Sequence, residues 1–380
     1  MDRRSRFRSA SLVALGLGLS AVPVAAAVGG LGAVATSRRR FTRARFDPWD
    51  LAIMASLLAT VAMTGSLRTL AVASGLLVAF VAYLVIASGF DDRDADMVRL
   101  GVALGVFGHL LATSWSWIGW GEGLERANGL AFHPNALGAL ALVAALVLAD
   151  GVARSRGTMR HVSISGTLAS ALLVIASGSR GAMLGAVVAC SFLVVLTYVR
   201  HRPPRAVLIL TSVAAAVLSV AGVVAVLAVR PDVRSWDEAS GRLELWSIGV
   251  EAAARSPFLG AGVDAWSSVG PSIDPVLNPQ AQGHPHSAPL ELLLTGGTFL
   301  LVAVAVRWGR RFRTLWTSGV FSPVAVAVMI GFTTHNLVDS FIGHLWLMAF
   351  VFFGVLATRR SEQSDAMREA NSGHGEFAAT

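Results

Sequence analysis

Residues 217–240 read VLSVAGVVAVLAVRPDVRSWDEAS, and the change from apolar to polar side chains within this stretch decides the fold. The chain before Arg230 is mostly apolar, residues 230–288 are polar, and the apolar pattern then resumes. Its apolar runs repeatedly reach the roughly 17–25 residues that a transmembrane helix requires. A content of 54% hydrophobic and only 14% charged residues excludes an ordinary soluble domain. The sequence therefore predicts a multi-pass membrane protein that carries its chemistry in one polar loop.

The apolar runs predict an all-α, polytopic membrane helix bundle with about eleven transmembrane helices. The predicted spans are residues 11–35, 49–65, 69–89, 98–119, 130–149, 162–178, 181–199, 206–229, 289–306, 316–335 and 341–358. They divide the chain into an N-terminal span with a basic loop (1–48), a transmembrane bundle (49–229), an extracytoplasmic catalytic loop (230–288), C-terminal transmembrane helices (289–358) and a cytoplasmic disordered tail (359–380). The catalytic loop thus lies between the eighth and ninth spans.

Arginine sets the predicted orientation, because the chain contains no lysine and cytoplasmic loops of membrane proteins are enriched in positive charge. If the spans alternate, one side receives the arginine clusters at 154–160, 200–205, 307–313 and 359–360. We predict that this side is the cytoplasm. The outward segments are then 122–128, 177–180, 230–288 and 335–343, and we expect them to meet around one cleft.

The N-terminus does not fit this alternation. Arginine clusters lie at residues 3–8 and at 38–45, on both flanks of the predicted span 11–35, and both cannot be cytoplasmic if that span crosses once. Pro23 and the glycines at 29, 30 and 32 permit a broken or re-entrant segment, because they free backbone groups that neighbouring helices must satisfy.

The polar loop has its own organisation. Ser240 is expected to cap a helix over residues 241–255, with a buried face formed by Leu245, Ile248, Gly249 and Ala252, a Glu251–Arg255 pair and a stop at Ser256-Pro257. Residues 258–262 (FLGAG) require unusual backbone angles. Trp246 and Trp266 are the aromatic residues expected where such a loop lies on the membrane surface. This pattern predicts an interfacial cap over the bundle.

Four blocks of sequence resemble the O-antigen ligase and polymerase superfamily. They are HPNALG at 133–138, SGSRGAMLG at 177–185, GRLELWSIGVEAAARSPFLGAGVDAW at 241–266 and HPHSAPLELLLTGG at 284–297. The resemblance covers roughly residues 130–357 and implies a membrane-embedded glycosyltransferase of the GT-C type. Such an enzyme moves a glycan from a polyprenyl diphosphate carrier to an acceptor hydroxyl. It would act at the outer face of the cytoplasmic membrane.

A transfer of this kind must stabilise a diphosphate leaving group, either with a divalent metal or with arginines. The outward segments contain no Asp-x-Asp pair, which favours a metal-free arginine clamp and no cofactor. Arg180, at the outer mouth of two spans, and Arg242, near the start of the loop helix, are the predicted catalytic arginines. The alternatives are a snorkelling Arg180 and a salt bridge from Arg242 to Asp237 or Glu238.

The acceptor hydroxyl requires a base or an orienting group, and His286 is the predicted residue because histidine titrates nearest neutral pH. In the family pattern asparagine usually follows this histidine, with a glutamate four residues further on. Here Ser287 replaces the asparagine, while Glu291 is kept and is expected to orient His286 or to pair with an arginine. His284 is an alternative base.

The remaining outward polar residues are secondary candidates for the substrate pocket. Asn135 lies inside a predicted span, and His335, Asn336 and Asp339 lie at another outward turn; helix capping and interhelical hydrogen bonding are their alternative roles. Asp339 is a further candidate base. Trp115, Trp117 and Trp120 indicate an interface belt or a sugar-stacking surface.

The sequence thus predicts an O-antigen ligase-like glycosyltransferase of the cell envelope that needs no metal. Its partners are a polyprenyl diphosphate-linked glycan, an acceptor that is a glycan, lipid or protein, and membrane lipid, with no nucleic acid. The first alternative is a polymerase in capsule or exopolysaccharide synthesis. A polysaccharide transporter, or a scaffold without catalysis, is the second.

Overall fold

A computed structural model describes residues 3–21, 23–36, 47–87, 90–119, 127–131, 133–201, 237–263, 265–273, 284–317, 322–339 and 345–358. Every regular element within these ranges is an α-helix, so the predicted all-α fold is confirmed for them. The helices are α1 Arg3–Ser20, α2 Pro23–Thr36, α3 Pro48–Thr64, α4 Leu67–Ala87, α5 Asp92–Gly119, α6 Pro134–Arg154, α7 Thr158–Ala176, α8 Arg180–His201, α9 Asp237–Arg255, α10 Ala265–Ile273, α11 Ala288–Thr317, α12 Pro323–Val338 and α13 Leu345–Ala357. The predicted span 206–229 and the tail 359–380 lie outside the described residues.

The chain is a membrane protein by the length and composition of its helices. Among the described residues, 6 helices are long and apolar enough to cross a membrane, and they lie in α4, α5, α6, α7, α8 and α11. Helices α3 and α12 and the part of α2 from Ala25 onward are apolar but shorter. The total of about eleven spans stays a prediction.

The predicted span 11–35 is two helices instead of one. Helices α1 and α2 run antiparallel, because Gly18 approaches Ala26 while Gly29 approaches Leu15. A Cβ atom at Gly29 would lie 2.3 Å from the backbone nitrogen of Leu15, so the glycine permits this close packing. The pair begins and ends at the same end of the bundle. The break that Pro23 permits is therefore present, and the second arginine cluster, at 38–45, lies outside the described residues.

One end of the bundle, the arginine-rich end, is held by ion pairs between arginine and aspartate. Arg8 pairs with Asp94 at 2.5 Å and Arg99 with Asp150 at 2.6 Å. Arg154 also contacts Asp150, at 3.2 Å. These contacts join the starts of α1 and α5 to the end of α6, and Arg99 additionally donates to the carbonyl of Ala357 at the end of α13.

The opposite end carries the cap, which consists of α9, α10 and their connecting loop. Leu245, Ile248 and Ala252 of α9 form a buried cluster with Ala265, Trp266 and Leu294, which confirms the predicted apolar face. The predicted Glu251–Arg255 pair is present at 3.3 Å, and α9 ends at Arg255 as expected.

Two details of the predicted cap were wrong. Helix α9 begins at Asp237, so Ser240 lies inside the helix instead of capping it. Trp266 is only 5% exposed, because it packs into the core of the cap instead of facing the membrane surface.

The cap is fastened to the membrane helices by backbone hydrogen bonds at a break in α11. Gly296 and Gly297 leave the helical conformation, and Gly297 has a φ of 66°. The cap loop enters this break, where Ala261 N–H donates to Leu294 O at 2.7 Å and Thr298 N–H donates to Pro257 O at 2.8 Å. The unusual angles predicted for residues 258–262 are confirmed, since Gly260 and Gly262 have φ values of 66° and 97°.

We expect Arg99→Leu to lower the free energy of unfolding by about 3 kcal/mol, because it leaves Asp150 buried with one of its two arginine partners missing. The matched control is Arg255→Ala, which breaks the exposed Glu251–Arg255 pair and should cost less than about 1 kcal/mol. Thermal unfolding of the detergent-solubilised protein measures both. Equal midpoints for the two variants would show that the buried pair does not stabilise the bundle.

Candidate functional site

The predicted site residues gather around the last turn of α12. This turn presents His335, the carbonyl oxygen of Val338 and, directly after the helix, Asp339. Each of the three contacts a different block of the sequence. The close approach of α8 to α12 brings the blocks together, because Gly185 lies against the backbone of Gly331 with no side chain between them.

His286 and Asp339 form a hydrogen-bonded pair. Nδ1 of His286 lies 3.1 Å from Oδ1 of Asp339, although 53 residues separate them in the chain. The Asp339 side chain is only 3% exposed, whereas the His286 side chain is 23% exposed. The carboxylate is therefore enclosed, and the imidazole remains partly accessible.

The electrostatics keep Asp339 ionised. Burial raises the pKa of the Asp339 carboxyl, but the hydrogen bond with His286 and the nearby histidines outweigh burial and hold this pKa well below its usual range. The stabilising contribution of the carboxylate is thus present above the ordinary aspartate pKa of about 3.9 and is lost only as the pH falls below it. An ionised Asp339 can only accept, so Nδ1 of His286 carries the proton and neutral His286 has its lone pair on Nε2.

His286 also has a strained backbone, because its φ of 49° lies in the left-handed region and it is not a glycine. The backbone N–H of His286 donates to Nδ1 of His284 at 3.2 Å. This turn brings the two imidazole rings to a centroid separation of 4.2 Å. Strain of this kind persists where the surroundings fix it and is common at functional sites.

His284, His286 and Asp339 also have the residue types of a metal site, and their ligand atoms lie within 4.8 Å of one another. The proton positions fit such a site poorly. Because Nδ1 of His284 accepts a hydrogen bond, neutral His284 holds its proton on Nε2, which lies 3.8 Å from Asp339. A histidine that binds a metal uses the lone pair of one ring nitrogen and normally donates from the other, whereas Nδ1 of His284 already accepts and its Nε2 carries the proton.

Arg242 lies on the first half of α9 and reaches the end of α12. Its Nη1 donates to the carbonyl oxygen of Val338 at 2.8 Å. Three and seven residues further along the helix, Leu245 is buried and Gly249 contacts Pro285, so the face that carries Arg242 is the face turned toward the histidines. The alternative ion pair with Asp237 or Glu238 falls on side chains outside those described.

Arg180 is the first residue of α8 and is half-buried. The residue before it, Ser179, has its Oγ 3.4 Å from Nε2 of His335. The residue after it, Gly181, is so close to α12 that a Cβ atom there would lie 3.1 Å from Val338. The second sequence block therefore meets the last turn of α12 on both sides of Arg180.

Asn135 connects the first sequence block to the last turn of α12. It is buried at the start of α6, and its backbone is a hydrogen-bond partner of the His335 ring. Gly138, one turn further along, lies against Ser177 and Ser179. The structure thus brings the four sequence blocks together. Of the outward segments expected to meet around one cleft, residues of 177–180, 230–288 and 335–343 are in contact, while 122–126 lies outside the described residues.

The carboxylate of Asp339 is the one described beside His286. Glu291 lies half-buried in the first turn of α11, and its predicted role, to orient His286 or to pair with an arginine, stays a prediction. The contact between Ser179 and His335 was not foreseen. The available signal was that both residues lie in outward segments of the predicted bundle, 177–180 and 335–343.

Comparison with known proteins supports the same region. Residues 165–305 match the family model described as O-Antigen ligase, a range that includes Arg180, Arg242, His284 and His286. Asp339 and Asn135 lie outside this range. No curated protein matches the chain. Three of the four sequence blocks lie within the matched range, and the match confirms the resemblance drawn from them: residues 165–305 are similar to the O-antigen ligase family.

Proposed function

We propose that this protein transfers a glycan from a polyprenyl diphosphate carrier to an acceptor hydroxyl at the outer face of the cytoplasmic membrane. The observation that carries the proposal is the His286–Asp339 pair. A carboxylate that fixes the proton of a partly exposed imidazole on Nδ1 leaves Nε2 free to accept the proton of a hydroxyl group.

Arg242 and Arg180 bind the diphosphate in this proposal. The described hydrogen bond of Arg242 goes to a neutral carbonyl group, so its positive charge is not neutralised by that contact. Arg180 begins α8, where the helix dipole adds to the attraction of an anion. Two ionised guanidinium groups provide planar donors for phosphate oxygens without a metal.

The reaction is an in-line displacement at the anomeric carbon. The acceptor oxygen forms a bond to that carbon as its proton passes to Nε2 of His286, and the bond from the carbon to the diphosphate oxygen breaks. Polyprenyl diphosphate leaves, with its negative charge held by the arginines. The configuration of the anomeric carbon is inverted.

A polymerase that lengthens a polysaccharide chain would use the same groups with a different acceptor. A transporter is less well supported, because transporters bind their substrates near the middle of the membrane. Here the distinctive residues of the described part lie at the cap end.

We expect Arg242→Ala to accumulate polyprenyl-linked glycan in cells, as a deletion does, because the leaving group loses a positive charge. Transfer should fall by roughly 100-fold, the range seen when a charge-stabilising donor is removed. Arg255→Ala, on the same helix, is the matched control and should transfer normally. Profiling of lipid-linked glycans measures the effect, and a chain length of single repeat units would indicate a polymerase instead of a ligase. Normal profiles for Arg242→Ala in a protein that reaches the membrane would contradict the arginine clamp.

Asp339→Asn should reduce transfer by on the order of 100-fold or more while the protein still folds. The asparagine amide can donate to Nδ1 of His286, which moves the imidazole proton to Nε2 and removes the base. Glu251→Gln, which changes an exposed carboxyl on α9, is the control. A larger loss for Glu291→Gln than for Asp339→Asn, in assays of transfer by membranes, would return the orienting role to Glu291.

We expect transfer by the purified protein to survive treatment with EDTA, because arginines and not a divalent ion hold the leaving group in this mechanism. Addition of a divalent ion to the treated protein is the complementary measurement and should not raise transfer, because His284, His286 and Asp339 fit a metal site poorly. Loss of transfer with EDTA and its recovery with a divalent ion would overturn the metal-free proposal.

A further inference from the structure

We propose that His335 is a positioning residue for Arg180 and acts through Ser179, which caps α8. The inference rests on the proposed function, because it concerns how the arginine that binds the diphosphate is held.

Ser179 fixes the start of α8. Its Oγ accepts from the N–H of Ala182 at 3.3 Å, the contact expected of an N-cap residue, and its carbonyl accepts from Met183 at 3.0 Å. The N–H of Ser179 itself donates to Oγ of Ser177 at 3.2 Å. Because Arg180 is the next residue and the first of the helix, the geometry of this cap sets the direction in which its side chain leaves the backbone.

His335 fixes the hydroxyl of Ser179. Nε2 of His335 lies 3.4 Å from this hydroxyl, and the two residues are 0% and 1% exposed, so water does not compete for the contact. Since Oγ already accepts from Ala182, its own proton is available to Nε2. Loss of the ring would leave a buried hydroxyl without this partner and weaken the cap.

The helices around this contact are closely packed. A Cβ atom at Gly181 would lie 3.3 Å from Cδ2 of His335, and one at Gly138 would lie 2.7 Å from Cβ of Ser179. Two glycines thus allow α6, α8 and α12 to meet directly at the histidine. A side chain built into such a contact has a defined position, which a positioning role requires.

The test measures binding of geranylgeranyl diphosphate to the full-length protein in detergent, with geranylgeraniol as the matched probe that lacks the diphosphate. The variants are His335→Leu, His335→Gln, Ser179→Ala and the double variant Ser179→Ala/His335→Leu. The amide oxygen of His335→Gln can accept from Ser179 at the position of Nε2, so this variant tests rescue. Arg180→Ala measures how much diphosphate binding is lost when the arginine side chain is removed.

We expect His335→Leu and Ser179→Ala each to weaken diphosphate binding about ten-fold, as the loss of one buried hydrogen bond implies. The double variant should be no weaker than either single variant, His335→Gln should bind like the wild type, and geranylgeraniol binding should not change. Independent losses that multiply, or failure of His335→Gln to restore binding, would overturn the positioning role. If His335→Leu does not fold, His335→Gln and Ser179→Ala still test the positioning role.

The same measurement separates the two proposals. If Arg180→Ala loses diphosphate binding while the His335 and Ser179 variants keep it, only the positioning role fails. If the wild type binds the diphosphate no better than the alcohol, the proposed function fails and takes this inference with it.

Discussion

The site depends on one constraint, which is that the buried carboxylate of Asp339 needs a partner. An ionised group enclosed to this degree is costly unless it is hydrogen-bonded or paired. The partner is His286, supplied by a segment 53 residues earlier in the chain. The end of α12 must therefore meet the segment that follows the cap, and the rest of the cap end is arranged so that this happens.

Three further features maintain that meeting. The glycines at 185 and 331 let α8 and α12 pack backbone against backbone. This contact places the last turn of α12 beside Ser179. The break at Gly296 and Gly297 receives the cap loop, which fixes α9 above the first turns of α11. Arg242 then closes the arrangement from the cap side through the carbonyl of Val338. Backbone contacts, which tolerate little displacement, thus determine where the functional side chains lie.

The sequence predicted what local chemistry controls. Apolar runs gave the membrane class, Ser256-Pro257 gave the end of α9, and the glycine pattern gave the unusual angles at Gly260 and Gly262. Contacts between residues far apart in the chain could not be predicted from these local patterns. Asp339 lies 53 residues beyond His286, and only the packing of the helices brings the two together. Trp266 was misplaced for a similar reason, because only tertiary packing creates the core of the cap that buries it.

Arg242 makes a different kind of contact from the arginines at the arginine-rich end, and this difference supports a binding role for it. At the arginine-rich end, Arg8 and Arg99 form ion pairs with aspartates, so their charges are balanced within the fold. Arg242 instead contacts a carbonyl oxygen, which orients the guanidinium while leaving its charge in place. A guanidinium whose described hydrogen bond goes to a neutral group can attract an anion. A diphosphate leaving group is an anion of that kind. In the proposed transfer it departs as the nearby base takes the proton of the acceptor hydroxyl.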